Sequence, residues 1–118
     1  SVRHGLYCGG CVSFKLEKQH FHLLCMACGS RESNETHLLR SMSDFKFLFG
    51  NLEMTSTRLM EFTGGMVNYR TVYDTLKNHC CIDKKGNHTV YRFKYYDFNE
   101  AMIKTADKKR YKDHINKF

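Results

Sequence analysis

Apolar residues recur at every second position in the first part of the chain. Between residues 12 and 24 they are Val12, Phe14, Leu16, Phe21 and Leu23. A period of two is the repeat of a β-strand, and two such runs separated by a polar stretch are typical of a hairpin. The pattern therefore predicts a two-stranded hairpin with residues 17–20 at its tip.

The apolar period changes to that of a helix after residue 33. Steps of four, three and four separate Leu38, Met42, Phe45 and Phe49. Because an α-helix repeats every 3.6 residues, these side chains share one face of a first helix, which we place at residues 35–49. Asn34 precedes this helix and has the short polar side chain of an N-cap.

Two shorter helices are predicted next. Thr55 is a suitable N-cap for the second helix, which ends at Gly64, and Asn68 is a suitable N-cap for the third, at residues 69–79. On the third helix, the residues predicted to face the core are Val72, Tyr73 and Leu76. The residues predicted on its outer face are Arg70, Thr71, Asp74, Thr75, Lys77 and Asn78. The residues expected to be buried together across the three helices are Phe45, Phe49, Leu59, Val72 and Leu76.

A second hairpin is predicted after the third helix. Residues 80–82 lead into a polar tip at 83–88, and residues 89–96 return with strand-like alternation. The tip contains Lys84 and Lys85, which is typical of a phosphate-contacting wing, although an ordinary polar turn has the same composition. Helix, glycine turn, short polar helix and basic hairpin form the order of a winged helix-turn-helix domain.

The chain closes with a basic segment. Asp97 and Glu100 have the spacing of a capping box and predict a last helix. The predicted fold class is α+β: a small C4 zinc ribbon (1–33), a winged helix-turn-helix domain (34–97) and a basic C-terminal helix or tail (98–118). The tail is either a solvated charged helix or a phosphate-binding arm, and its basic residues are Lys104, Lys108, Lys109, Arg110, Lys112 and Lys117.

Four of the six cysteines have the spacing of a metal site. Cys8, Cys11, Cys25 and Cys28 form the pattern C-x2-C-x13-C-x2-C. Each C-x2-C pair can present two thiolates from one tight turn, and four thiolates complete the tetrahedron that Zn²⁺ prefers. We therefore expect one structural zinc ion per chain, with Gly9, Gly10 and Gly29 supplying positive φ angles in the turns.

Other interpretations of the cysteines remain open at this point. A disulfide framework or a redox C-x-x-C site are alternatives, although the chain has neither a recognisable signal peptide nor a βαβ pattern. His4, His20 or His22 are alternative ligands in place of one cysteine. Four thiolates would close the coordination shell, which favours a structural metal over a catalytic one. Cys80 and Cys81 are adjacent, and we interpret them as a core position and a spare thiol.

Composition and charge limit the class of protein. The chain has 118 residues, 42% of them hydrophobic, and a formal net charge of +7. Residues 80–118 have a net charge of +5 and residues 34–79 a net charge of zero. This asymmetry indicates a polyanionic partner. The longest apolar runs are too short to span a membrane, so we expect a cytoplasmic protein. Because the sequence begins with Ser1, we interpret it as an excised or processed piece of a longer polypeptide.

The residues expected to contact nucleic acid lie on the third helix, on the wing and in the tail. They are Arg70, Thr71, Asn78, Lys84, Lys85, Lys108, Lys109 and Arg110. Arginine and asparagine read base edges, whereas lysine usually contacts phosphates. No Ser-His-Asp order, H-E-x-x-H motif or glycine-rich phosphate loop is present in the sequence, so we expect no catalytic residue in this chain.

The cysteine pattern and three segments resemble a known family. The segments THLLRSMSDFKFLFG, LMEFTGG and TVYDTLKN are similar to the C-terminal part of bacterial nuclease-related-domain (NERD) proteins. The resemblance covers about residues 4–95 and implies a C4 zinc ribbon, followed by a helical region, in a protein with a separate nuclease-like domain. Only Cys8, Cys11, Cys25 and Cys28 are implied as site residues, in the role of zinc ligands.

These observations favour a zinc-binding accessory module that binds nucleic acid, with double-stranded DNA as the expected partner alongside the rest of the parent polypeptide. The alternative is a zinc-stabilised protein–protein interaction module, since ribbons and winged helices also bind proteins. A third hypothesis is an enzyme with an unrecognised site. No small-molecule substrate and no membrane partner are expected.

Overall fold

The computed structural model describes residues 5–116 and shows an α+β fold of four helices and two small antiparallel sheets. The strands are β1 (Leu16–Lys18), β2 (His22–Cys25), β3 (Arg31–Ser33), β4 (Cys80–Lys85) and β5 (His88–Phe93). The helices are α1 (Asn34–Leu48), α2 (Ser56–Phe62), α3 (Tyr69–His79) and α4 (Phe98–Lys104). None of the helices described here is long and apolar enough to cross a bilayer.

The first hairpin is present but shorter than predicted. β1 and β2 pair with Leu16 opposite Cys25, and residues 19–21 form the turn. Val12, predicted to lie in a strand, is instead 63% exposed with a φ of 65°. It belongs to the turn of the first cysteine pair, where its N–H donates to Cys8 O at 2.8 Å. β3, which was not predicted, adds to the other edge of β2.

Short polar side chains begin the helices, as predicted for three of the four. Thr55, Asn68 and Asp97 are the N-caps of α2, α3 and α4, and each side chain accepts a hydrogen bond from a backbone N–H three residues later. The N-cap of α1 is Ser33 and not the predicted Asn34. Ser33 Oγ accepts from the Thr36 N–H at 3.0 Å, so the helix begins one residue earlier.

One apolar core joins α1, α2 and α3 to both sheets. The predicted core residues are confirmed: four are buried, and Phe49 is half-buried against them. The buried residues of this core include Phe45, Leu59, Val72 and Leu76 and, outside the predicted set, Leu6, Leu23, Met54, Val67 and Tyr91. Because Leu6 and Leu23 precede α1, the N-terminal segment packs directly on the helical part.

Two positions on α3 are exchanged relative to the prediction. Tyr73 was expected to face the core but is 36% exposed, whereas Thr75 was expected outside but is 4% exposed. Burial of Thr75 is possible because its hydroxyl donates to Thr71 O at 2.7 Å within the helix. Hydrophobicity alone does not reveal that a hydroxyl group has an internal acceptor.

The second hairpin has a tighter tip than predicted. β4 and β5 pair with Lys85 opposite His88, so only Gly86 and Asn87 form the turn, and Gly86 has a φ of 59°. Lys84 and Lys85 therefore lie on the strand and not in a loop. Because successive strand residues point to opposite faces, the two lysine side chains lie on opposite sides of the hairpin.

Of the two forms expected for the C-terminal segment, a helix or a tail, the structure has a short helix followed by a non-helical segment, because α4 ends at Lys104. Residues 105–116, here called the C-terminal strap, run back across the N-terminal part of the molecule. The backbones of His114 and Arg31 exchange two hydrogen bonds of 2.7 Å, which extends the sheet beyond β3. The strap is held to residues about 80 positions away in sequence. Lys117, a predicted basic residue of the tail, lies outside the described residues.

Candidate functional site

The four predicted zinc ligands lie together at one end of the ribbon. The Sγ atoms of Cys8, Cys11, Cys25 and Cys28 all lie within 4.8 Å of one another. Cys8 and Cys11 come from the turn before β1, Cys25 ends β2 and Cys28 lies in the turn before β3. Among residues 5–116, this is the one group of three or more potential ligand side chains brought together.

The spacing of the sulfurs fits a tetrahedral ion. The Sγ–Sγ distance is 3.6 Å between Cys8 and Cys28 and 3.5 Å between Cys11 and Cys25. A regular tetrahedron with Zn–S bonds of about 2.3 Å has sulfur–sulfur edges of about 3.8 Å. The cluster can therefore hold a metal ion of this size with little rearrangement. Disulfide-bonded sulfurs would lie about 2.0 Å apart, and all four cysteines are free thiols.

The cysteines of the cluster differ in how readily they form thiolates: burial raises the pKa of Cys8, whereas hydrogen bonds favour the thiolate of Cys28. The Gly10 N–H donates to Cys8 Sγ at 3.3 Å. Ser30 Oγ lies 3.0 Å from Cys28 Sγ, and hydrogen bonds from the side chain and backbone of Ser30 lower the pKa of the Cys28 thiol to about 6. Since zinc binds the thiolate form, these contacts favour metal binding.

The glycines of the two turns have different roles. Gly29 has a φ of 79°, as predicted for a glycine in a cysteine turn. Gly9 and Gly10 do not have positive φ angles, which corrects the prediction for both. A Cβ on Gly9 would instead overlap the Arg40 guanidinium and lie 2.6 Å from Glu32 Oε2. Gly9 is therefore a position of close approach between the metal-binding turn and α1.

A buried ion pair joins the ribbon to α1 at this point. Arg40 on α1 and Glu32 on β3 form a salt bridge, and their side chains are 10% and 5% exposed. Glu32 Oε1 also accepts from the Gly9 N–H at 2.8 Å, and Arg40 donates to Tyr7 O at 3.1 Å. The neighbouring His37 is 1% exposed, and its burial lowers its pKa to about 3, so it is neutral at physiological pH.

The remaining cysteines and histidines do not join the cluster. His22 stacks on Tyr111 with ring centroids 4.5 Å apart, and His20 packs edge-on against Phe21. Cys80 is buried in the apolar core and Cys81 is exposed, as expected for a core position and a spare thiol. His4, the other alternative ligand, lies outside the described residues.

The residues predicted to read DNA on α3 differ in how exposed they are. The Arg70 side chain is 86% exposed and lies 3.5 Å from Asp74, one turn later. Asn78 is exposed two turns beyond Arg70. Thr71 is half-buried and lines a groove of about 420 Å³ between α3, the ribbon hairpin and the strap.

The wing and strap residues differ in how free their charges are. Lys84 is exposed, whereas Lys85 Nζ lies 2.7 Å from Glu53 Oε2. Lys108 and Lys109 are exposed. Arg110 is half-buried, lies 3.0 Å from Glu35 Oε1 and lines the same groove as Thr71. Three of the lysines predicted to contact nucleic acid are therefore exposed and have no carboxylate within salt-bridge distance among the described residues. They are Lys84, Lys108 and Lys109.

An aromatic pair on α3 was missed by the sequence analysis. Tyr69 is 57% exposed, and its ring is nearly parallel to that of Tyr73, with centroids 6.1 Å apart and an interplanar angle of 8°. Lys77 Nζ lies 5.3 Å from the Tyr73 centroid. The three residues recur every four positions, a spacing that was visible in the sequence, but Tyr73 had been assigned to the core.

Comparison with known proteins adds no relative. Neither the scan against protein-family models nor the searches of curated proteins and solved structures found a match. The functional argument therefore depends on the geometry of this chain.

Proposed function

We propose that this chain is a zinc-binding accessory module that binds nucleic acid, with double-stranded DNA as the expected partner. The observation that carries the proposal is the four-sulfur cluster of Cys8, Cys11, Cys25 and Cys28 in a ribbon that packs on a basic helix-and-hairpin unit. Zinc supplies four metal–thiolate bonds there and no open coordination position, so its role is structural.

The helix-and-hairpin unit supports the nucleic-acid part of the proposal. α1, α2 and α3 are followed directly by the β4–β5 hairpin, and the Tyr91 N–H donates to Met54 O at 2.9 Å, between α1 and α2. This order matches that of a winged helix, with α3 as the recognition helix and the hairpin as the wing. Arg70 and Lys84 lie exposed on these two elements, where a duplex would meet them.

The resemblance to NERD proteins extends the proposal to a parent polypeptide. A zinc ribbon with a helical region is what that resemblance implies beside a nuclease-like domain. In this interpretation the chain positions a neighbouring enzyme on nucleic acid and contributes no catalytic residue of its own. A purified sample is then expected to leave DNA uncut in the presence of Mg²⁺ or Mn²⁺.

A specific surface favours the second function, protein binding. Phe47 and Tyr96 are 56% and 65% exposed, and their rings pack edge-to-face with centroids 5.7 Å apart. Leu48, also exposed, follows Phe47 at the end of α1. Exposed aromatic residues of this kind are enriched in protein interfaces. This patch lies on α1 and the segment before α4, so both functions can coexist.

Salt dependence separates the two functions. Binding of a labelled duplex of about 20 base pairs should weaken steeply between about 50 and 200 mM salt, because phosphate contacts release counterions. Lys84→Ala should reduce the slope of log K against log salt by about one, and Lys84→Arg should restore it. Lys108→Ala combined with Lys109→Ala tests whether the strap makes these contacts instead. Absence of duplex binding at low salt would refute double-stranded DNA as the partner, and absence of binding to single strands as well would leave protein binding.

A further inference from the structure

Two tyrosines and a lysine lie one after another along the exposed side of α3. Tyr69 is 57% and Tyr73 36% exposed, and their rings are nearly parallel with centroids 6.1 Å apart. Lys77 Nζ lies 5.3 Å from the Tyr73 ring centroid. Because the three residues are four positions apart, they form one strip along the helix.

This strip is aromatic along its centre and cationic at its margins. Tyr69 and Tyr73 present ring surface to solvent, Lys77 lies against the Tyr73 ring, and Arg70 directly follows Tyr69 on the helix. Asp74 is the one carboxylate on the exposed side of α3, and it lies 3.5 Å from Arg70. An exposed stacked pair of rings offers a surface to another planar group, while the surrounding cations require a partner that brings negative charge.

We propose that this strip binds single-stranded nucleic acid, with unpaired bases stacking on the tyrosine rings and phosphates contacting Lys77. The inference rests on the nucleic-acid function proposed above and names the form of the ligand at α3. A duplex buries the faces of its bases, so it offers nothing for the rings of Tyr69 and Tyr73 to stack on. An apolar protein partner would have to cover the Lys77 ammonium with no compensating charge.

The arrangement suits a junction between duplex and single strand. Base–aromatic stacking tolerates any sequence because every base has a π-face, so the strip requires no base-specific hydrogen bond. Lys84 on the hairpin is the lysine expected to contact a duplex, whereas Tyr69 and Tyr73 can stack only on unpaired bases. The preferred ligand is then a duplex with an overhang, above a blunt duplex of the same length.

The test measures affinity for three labelled DNAs: a single strand, a blunt duplex and a duplex with a single-stranded overhang. Tyr69→Leu and Tyr73→Leu remove the ring but retain apolar bulk, and Tyr69→Phe and Tyr73→Phe are matched controls that retain the ring. Each leucine variant should weaken binding of the single strand and the overhang by about 5- to 150-fold, the range of one lost base stack. Blunt-duplex affinity should change by less than about 2-fold, and the phenylalanine variants should bind like the original chain.

Tyrosine emission gives a second readout, because the chain has no tryptophan. Stacking of a base on the strip should quench the emission on binding of the single strand, and Tyr69→Phe with Tyr73→Phe should abolish that quenching while affinity is kept. Leucine variants that bind single strands normally, or that lose blunt-duplex affinity equally, would overturn the stacking inference alone. Failure of the original chain to bind any of the three DNAs would overturn the proposed function as well.

Discussion

The ribbon (residues 5–33) and the helical part (residues 34–104) differ in the kind of side chain that they bury. In the ribbon, the buried residues that cluster with one another are Cys8, Cys25 and Cys28, with Leu16 packed against them. Its two buried leucines, Leu6 and Leu23, belong to the core of the helical part. The ribbon thus has almost no apolar core of its own and has four clustered cysteines in its place, whereas the helical part buries apolar side chains from three helices and a hairpin.

A bound metal is expected to add stability mainly in the ribbon. A segment this small cannot offset its conformational entropy with the apolar surface that it buries, so we expect metal–thiolate bonds to supply its folding free energy. In the helical part, burial of leucine and phenylalanine side chains drives folding. Variants in each region test this division.

The largest effect is expected from loss of a metal ligand. Cys25→Ala should reduce bound zinc from one ion per chain to almost none, because three thiolates hold zinc far less tightly than four. Elemental analysis of the purified chain measures this directly. Cys81→Ala is the matched control, since Cys81 is an exposed thiol outside the cluster, and it should retain one zinc ion. Full zinc content in the Cys25 variant would show that the metal is bound elsewhere.

The next largest effect is expected at the buried ion pair that joins the ribbon to α1. Arg40→Met removes one partner of a buried ion pair and leaves the Glu32 carboxylate uncompensated, at a cost of about 3–5 kcal/mol in the free energy of unfolding. Denaturant unfolding followed by circular dichroism measures the change. Arg58→Met is the control, because Arg58 is hydrogen-bonded to a backbone carbonyl, Glu53 O, and not to a buried carboxylate. An equal loss of unfolding free energy in both variants would argue against a special role for the ion pair between Arg40 and Glu32.

Within the helical part, Leu76→Ala should lower the free energy of unfolding by about 2–5 kcal/mol, as truncations of buried leucines do. Leu76 is fully buried in the apolar core. Ile103→Ala provides the control, since Ile103 is 77% exposed and its truncation should change stability by less than about 0.5 kcal/mol. A cost for Leu76→Ala below about 0.5 kcal/mol would mean that α3 does not pack as described. Zinc content should be unchanged in both variants, which separates this region from the ribbon.

The smallest of these effects concerns the C-terminal strap. Asp113 accepts hydrogen bonds of 2.7 Å from the Ser33 N–H and the Thr36 hydroxyl at the start of α1, and Asn116 Nδ2 donates to Cys28 O at 2.7 Å. Asp113→Ala should lower the free energy of unfolding by about 1–2 kcal/mol, the range for a lost helix cap. It should also make the strap more sensitive to limited proteolysis, with Asp107→Ala as the exposed control. Unchanged cleavage in the Asp113 variant would contradict the docked strap.

Local chemistry explains which parts of the fold were predictable. Thr55, Asn68 and Asp97 act as N-caps because the hydrogen bond is made three residues away, within a window that the sequence shows. The cysteine cluster was predictable for a similar reason, since each C-x2-C turn presents two ligands by itself. The four cysteines of the candidate site were therefore predictable from their spacing alone.

Long-range contacts explain the rest. The sequence left the strap open between a charged helix and a phosphate-binding arm because its partners, such as Ser33 for Asp113 and Cys28 for Asn116, lie 80 or more residues away. Tyr73 was assigned to the core because apolar periodicity does not distinguish an aromatic residue packed inside from one stacked on a neighbouring ring outside. No local pattern carries this information.

Amide hydrogen exchange, resolved by residue and compared with and without a zinc chelator, tests the division between the two regions most directly. With zinc bound, the amides of β2 and β3 and those of α1 and α3 should all be protected. After chelation, the account predicts that protection is lost at residues 8–33 and retained in α1 and α3. Persistent protection of β2 and β3 in the metal-free chain would contradict it, because the ribbon would then be folded by something other than its four thiolates.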